Sequence, residues 1–157
     1  MSIDPRPDGP VLLVSSSGGV LLELLALQPW WSKHEVTWAA VKAADTEAAL
    51  QDCRVTWLPE LAAARPFALL PAMLRAHRIL RRNRPALIVS AGSGPAIPFF
   101  LLAAARGIPT FWIATLNVSG RAGLSARLCA RLASRVLVQR PVQRDMHPGA
   151  VLIGELY

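Results

Sequence analysis

Hydrophobic and polar positions along the chain fall into short apolar runs, small-residue turns and longer stretches of helical spacing. Residues 11–15 (VLLVS), 86–91 (ALIVSA) and 108–114 (IPTFWIA) are nearly unbroken apolar runs of strand length. Runs of that kind suit strands covered on both faces. Residues 35–41 with Trp38, 53–58 closed by Pro59, 135–139 (RVLVQ) and 151–153 predict further strands. Between them, helical spacing predicts helices over 20–28, 67–82, 95–106 and 124–133. Pro29 is read as closing the first of these, with Trp30 and Trp31 beyond it. Gly107 ends the third, and Pro98 falls in its first turn, where a missing N–H costs little. Residues 42–51, polar and alanine-rich, form a short helix or a loop. Residues 1–10 are a flexible lead-in, and 11–157 form a single lobe. The alternation predicts an α/β fold, Rossmann-like, with a mostly parallel sheet and helices on both faces.

Composition fits that picture. Apolar residues make up 53% of 157 and mean hydropathy is +0.36, an excess that a doubly covered sheet, or a large partner surface, absorbs. No apolar run reaches the roughly 18–20 residues of a membrane span, and the acidic, proline-containing start is unlike a signal peptide. Cys53 and Cys129 lack motif spacing and read as buried thiols. The chain ends at Tyr157 close behind a strand, so one lobe is expected. Charge is divided unevenly. Residues 1–60 carry net −4, and residues 61–157 carry net +11, all of the positive charge there being arginine. Such a field suits a nucleic acid, an anionic bilayer or a phosphorylated substrate, or is simply a basic solvated face. No helix-turn-helix signature or aromatic platform on a basic strand supports nucleic acid, and the five tryptophans read as core or interface residues.

The candidate chemistry is sparse. His34, His77 and His147 are scattered, no pair has metal-ligand spacing, and neither GxSxG nor a GKS/GKT phosphate loop is present. Two small-residue turns, Ser16-Ser17-Gly18-Gly19 and Gly92-Ser93-Gly94, each lead from a strand into a helix and are expected on one carboxyl edge of the sheet. Their N–H groups suit phosphate, pyrophosphate or a sugar hydroxyl, unless the glycines merely permit tight turns. Glu23, the one charge of its helix, is either a first-turn acid at the positive helix end or a group facing a ligand or partner. Arg75, Arg78 and Arg82 fall on one helix face, and Arg127, Arg131 and Arg135 form a second stripe.

Four segments in order resemble one family. Ser16-Ser17-Gly18-Gly19 with Glu23 resembles an SGGHxxE turn, and residues 85–98 resemble PDLII–G–G–xxxP. Residues 113–128 align without a gap to a segment with a polar turn, an arginine and LTGKL, and 135–141 with 147–156 resemble LFIVQWxE…YPKA…G. On these the chain resembles the membrane-associated subunit of two-component UDP-sugar glycosyltransferases. These are the Alg14-like proteins of lipid-linked oligosaccharide synthesis and their bacterial capsule and exopolysaccharide counterparts.

That resemblance implies the amino-terminal lobe of a GT-B glycosyltransferase, with no cofactor of its own. The UDP-sugar donor would sit on a small Alg13-like partner subunit, and the chain alone would be inactive. It implies Glu23 and Asn117 as catalytic residues and Ser17, Gly18, Gly19, Gly92, Ser93, Gly94 and Arg121 as substrate contacts. Arg75, Arg78, Arg82, Arg127 and Arg131 would meet the membrane or lipid phosphate. The setting implied is cytoplasmic, peripheral at the inner face of the plasma membrane, with a polyprenyl-(di)phosphate-linked acceptor. The chain departs from the family at Val20 (a histidine there), Ala114 (an acid), Val118 (an arginine) and Arg140 (a tryptophan). Those losses leave open a non-catalytic scaffold or anchor that only docks the catalytic partner, or an unrelated α/β module binding an anionic ligand.

Overall fold

The computed structural model describes residues 7–60, 66–92, 94–115 and 123–154. Seven parallel strands form one sheet in the order β3-β2-β1-β4-β5-β6-β7. They are β1 Val11–Ser15, β2 Val36–Val41, β3 Val55–Leu58, β4 Leu87–Ser90, β5 Thr110–Ile113, β6 Arg135–Val138 and β7 Val151–Leu152. The chain winds outward from β1 through β2 to β3, returns to β4 beside β1, and then winds the other way. The order therefore reverses between β1 and β4, the place where open α/β sheets bind ligands.

The central strands are buried on both faces, which is why they read as unbroken apolar runs. All five residues of β1 and all four of β4 are buried. Alternate side chains serve two cores. Leu12, Val14, Ile88, Trp112 and Val138 face one side, and Val11, Leu13, Trp38, Val89, Phe111 and Ile113 face the other. Three helices, α4 (Leu69–Asn83), α5 (Ala96–Arg106) and α6 (Leu124–Leu132), cover the first core through Ile79, Leu80, Phe99, Phe100 and Cys129. The second core is covered by α1 (Gly19–Ala26) through Leu21 and Leu24, with Leu27, Leu50 and the half-buried Trp30 and Trp31 around α2 (Gln28–Trp31) and α3 (Ala44–Ala49). The Rossmann-like architecture expected from the sequence is the architecture observed.

Chain order thus becomes a difference between faces. The basic second half of the sequence supplies the α4–α6 layer, where Arg75, Arg78, Arg81, Arg82, Arg106, Arg127 and Arg131 are all exposed. The described ion pairs, Lys42–Glu47 (3.5 Å) and Arg54–Glu35 (3.3 Å), lie in the first 60 residues. Among the described residues no acid pairs with the arginines of α4 or α6. Apolar side chains are exposed beside them. Phe67 is 92% exposed, with Leu70 and Leu74 one and two turns further along α4.

Several local expectations need correction. Pro29 does not end the first helix. That helix stops at Ala26, and Pro29 occupies the second position of α2, where its missing N–H is not required. Glu23 is the fifth residue of α1, past the first turn. Residues 42–51 do contain a helix, α3. A one-turn helix, α7 (Gln143–Met146), follows Pro141 where only a break was expected. Cys129 is buried, but Cys53 is only half-buried, and both thiols are free. Of the lead-in, residues 1–6 lie outside the described residues, while the Pro10 carbonyl already accepts from the Ala86 N–H (2.8 Å).

Candidate functional site

Because β1 and β4 are adjacent and parallel, the two small-residue turns open side by side at the carboxyl edge. The first leads through the exposed Ser17, Gly18 and Gly19 into α1. Gly18 has φ 73°, ψ −135°, a backbone that favours glycine. Its N–H donates to Asp45 Oδ2 (2.8 Å), while Asp45 Oδ1 accepts from the Thr46 N–H (2.9 Å). A carboxylate from the start of α3 thus sits on the turn, a neighbour that the sequence alone did not single out.

The second turn is more enclosed. Gly92 and Gly94 are buried; Ser93 lies outside the described residues. Ser90 Oγ donates to the Val14 carbonyl (2.8 Å) and accepts from the Gly92 N–H (3.2 Å), so one hydroxyl ties the turn to the end of β1. Gly92 has φ 104°, and a Cβ there would lie 2.9 Å from Trp112 Nε1. Beyond the turn, α5 begins without a side-chain cap and without an acid in its first turn. Near its start, an apolar cavity of about 250 Å³ runs between Leu58, Pro71, Pro98 and Phe99, with Glu60 and Arg75 also in its wall.

A buried polar network closes the same edge at β5 and β6. Gln139 Nε2 donates to Glu23 Oε2 (3.0 Å) and to the Ala114 carbonyl (3.3 Å). Gln143 Oε1 accepts from the Gln139 and Arg140 N–H groups (2.9 and 3.0 Å), and its Nε2 donates to the Thr115 carbonyl (3.1 Å). Glu23, Gln139 and Gln143 are all buried, and hydrogen bonding is what makes such burial tolerable. Glu23 therefore turns into the fold. Lying past the first turn, it is not the first-turn acid.

The structure brings Ser17, Gly18, Gly19, Gly92 and Gly94 together on one edge. Asn117 and Arg121 lie outside the described residues. Arg75, Arg78 and Arg82 on α4 and Arg127 and Arg131 on α6 belong to the outer helix layer. The last two line a groove of about 610 Å³ with Leu124, Met146 and His147. His77 is half-buried, and its Nδ1 accepts from the Arg106 guanidinium. His147 packs edge-on against Trp112 with centroids 5.4 Å apart, and burial holds its pKa below 6.5. Among the described residues no group of three His, Cys, Asp or Glu could hold a metal ion, and no helix is long and apolar enough to cross a membrane. At this edge the Gly18 and Gly92 N–H groups are already held by Asp45 and Ser90, and the uncapped, acid-free start of α5 is what favours an anionic or hydroxyl group.

The fold is Rossmann-like and matches one half of several solved glycosyltransferases and UDP-sugar enzymes. Acinetobacter baumannii MurG superposes with a TM-score of 0.75 at 21% identity, over 93% of this chain and 45% of MurG. S. aureus MnaA, solved with UDP, gives 0.73 at 8% identity over 94% and 45%, and a Rickettsia africae glycosyltransferase 0.70 at 14% over 96% and 44%. At these identities the likeness is one of fold. Sequence kinship is more specific. Over 94 residues the chain is 40% identical to the UDP-N-acetylglucosamine–N-acetylmuramyl-(pentapeptide) pyrophosphoryl-undecaprenol N-acetylglucosamine transferase of Xylella fastidiosa, and over 73 residues 37% identical to that of Tolumonas auensis. These matches take in 52% and 46% of this chain but only 25% and 20% of the relatives, so the chain spans about a quarter of their length. No protein-family profile matches.

Proposed function

We propose that the chain is the acceptor-side lobe of a lipid-linked sugar transferase. In this reading it positions a polyprenyl-(di)phosphate-linked acceptor, while a second, Alg13-like subunit brings the UDP-sugar. The observation that carries the reading is the 40% identity to a transferase whose named substrate is pyrophosphoryl-undecaprenol-linked, on a chain with the same lobe fold. The narrower likeness to Alg14-like capsule or exopolysaccharide subunits rests on motif order alone. The basic, partly apolar α4–α6 layer supports peripheral contact with an anionic membrane, where each arginine contributes about 1 kcal/mol.

The test is co-expression with a small UDP-sugar-binding subunit, followed by size exclusion and transfer from UDP-N-acetylglucosamine to a polyprenyl-diphosphate-linked acceptor. A stable heteromer that transfers sugar, from components inactive alone, is the expected result. A monomer that ignores the partner and adds nothing to transfer overturns the reading.

One observation favours a second reading, that of a docking scaffold. The Glu23 carboxylate and the Gly18 N–H are already engaged within the fold. Substituting Glu23 and Asn117 in the assembled pair separates the two: transfer lost with pairing intact supports direct participation, and unchanged transfer supports the scaffold.

A further inference from the structure

Strand β3 ends the sheet on one side and pairs only with β2, in parallel. The Arg54 and Leu58 carbonyls accept from the Trp38 and Lys42 N–H groups (2.8 and 3.2 Å). Alternate residues of a strand turn their main-chain groups the same way. Arg54, Thr56 and Leu58 therefore face β2, and Val55 and Trp57 direct their N–H and C=O groups outwards. Among the described residues nothing pairs with those outward groups.

Natural sheets blunt such an edge with a charge, a proline, a bulge or a very short strand. The opposite edge is short, since β7 is only Val151–Leu152. β3 carries none of these devices. Its four residues read VTWL, without charge or proline. Thr56 and Trp57 are exposed.

The partner this edge fits is its own copy. Laid antiparallel about a twofold axis through Thr56, Val55 of each copy faces Trp57 of the other, and each such pair exchanges two main-chain hydrogen bonds. All the outward groups are then used. Val55 and Trp57 lie on the face of the second core, in register with Trp38 and Ala40. The Trp57 ring thus packs on Val55 of the second copy, an aromatic against a β-branched side chain, while Thr56 meets Thr56 on the other face; both pairings are favourable across strands. At either end Arg54 lies diagonal to Glu60 of the second copy, within reach of a long side chain, while Asp52 sits back in the preceding turn.

We propose that the open edge of β3 pairs with the same edge of a second copy, giving a dimer with one continuous sheet. The axis is perpendicular to the sheet, so both α4–α6 layers fall on the same side and present their arginines in one direction. The inference goes beyond the function proposed above and does not depend on it. The contact is short, so the dimer forms in a concentration-dependent way.

The experiment is sedimentation velocity of the full chain across a concentration series, with Thr56→Lys, Thr56→Asp and their equimolar mixture beside wild type. Wild type is expected to pass from monomer to dimer as concentration rises. Each variant alone sets like charges against each other on the axis and is expected to associate at least about tenfold more weakly. The mixture sets an ammonium against a carboxylate and is expected to regain the dimer. Wild type that stays monomeric, a dimer that both variants leave intact, or species that grow past the dimer overturn the proposal. Loss in the variants without recovery in the mixture overturns the pairing centred on Thr56. Where the charged variants fail to fold, Thr56→Cys in a Cys53→Ser background takes their place, since facing residues of this kind are close enough for a disulfide. A disulfide-linked dimer on oxidation supports the pairing, and its absence overturns it.

Discussion

Gln139 Nε2 donates to Glu23 Oε2 over 3.0 Å, joining the helix after the first strand to the end of the sixth across 116 positions. Glu23 and Gln139 belong to two separate pieces of the motif resemblance, the small-residue turn and the VQ strand end. Their meeting gives a physical reason for finding the two residues in one chain. Removing one side of a buried hydrogen bond costs about 1–3 kcal/mol, because the remaining group stays desolvated. Gln139→Leu is expected to lower stability by about that amount, and Glu23→Gln by less, since the amide retains an acceptor oxygen. A double-mutant cycle by urea denaturation is expected to give a coupling above about 0.5 kcal/mol. Additive effects would mean that the contact contributes nothing specific.

Glycines 92 and 107 differ in what surrounds them, and that difference sets a second prediction. Gly107 closes α5 in the left-handed region (φ 68°, ψ 22°), and a methyl added there would meet nothing within 4 Å. Gly107→Ala is expected to cost about 1–2 kcal/mol, the left-handed penalty alone. At Gly92 the added methyl meets Trp112 Nε1 as well, so Gly92→Ala is expected to be clearly the more destabilising. Thermal midpoints of the two variants check the order. Equal losses would show that the indole yields without cost.

These residues also mark how far the sequence was legible. The strands were readable because a doubly covered sheet writes unbroken apolar runs such as Val11–Ser15, and α5 because Gly107 punctuates it. The turns after β1 and β4 could be placed on one edge from parallel pairing alone. Contacts across the chain were not readable. Asp45 reaches Gly18 over 27 positions, and nothing local marks it among the polar residues around it. Gln143 is buried because three main-chain groups need partners, a demand set by how β5 and β6 end and not by periodicity. A one-turn helix such as α7 is too short to show any period. Glu23 was visible as a charge in an apolar helix, but its direction depends on Gln139, 116 positions away just past the end of β6.

Burial pushes the Cys129 thiol from 9.0 up to about 12, which fixes the sign of a pH effect. The folded state keeps this proton where the unfolded chain has released it. The contribution to stability is therefore complete below pH 9 and is lost as pH rises from about 9 towards about 12, at no more than about 1.4 kcal/mol per pH unit. Cys129→Ala removes that slope. Urea midpoints of wild type and variant are expected to converge as pH rises from 8 to 10.5. At pH 8, iodoacetamide is expected to modify the half-buried Cys53 first and Cys129 only as the protein unfolds. Equal labelling rates would contradict the buried setting of Cys129.

The division of charge between the two helix layers carries the last prediction. If the α4–α6 layer meets an anionic bilayer, Arg75, Arg78 and Arg82 act beside the exposed Phe67, Leu70 and Leu74. Replacing the three arginines with glutamine is then expected to weaken binding to phosphatidylglycerol vesicles on the order of 100-fold, at about 1 kcal/mol for each charge. Leu70→Glu is expected to weaken it too, and that loss will persist at high salt, where the electrostatic part is already screened. Neither change touches a core residue, so the unfolding midpoint is expected to stay within about 0.5 kcal/mol of wild type. Vesicle flotation across salt measures both effects. Binding that depends on the arginines but not on Leu70 would describe surface adsorption. Binding that depends on neither would remove the membrane from the account of this face.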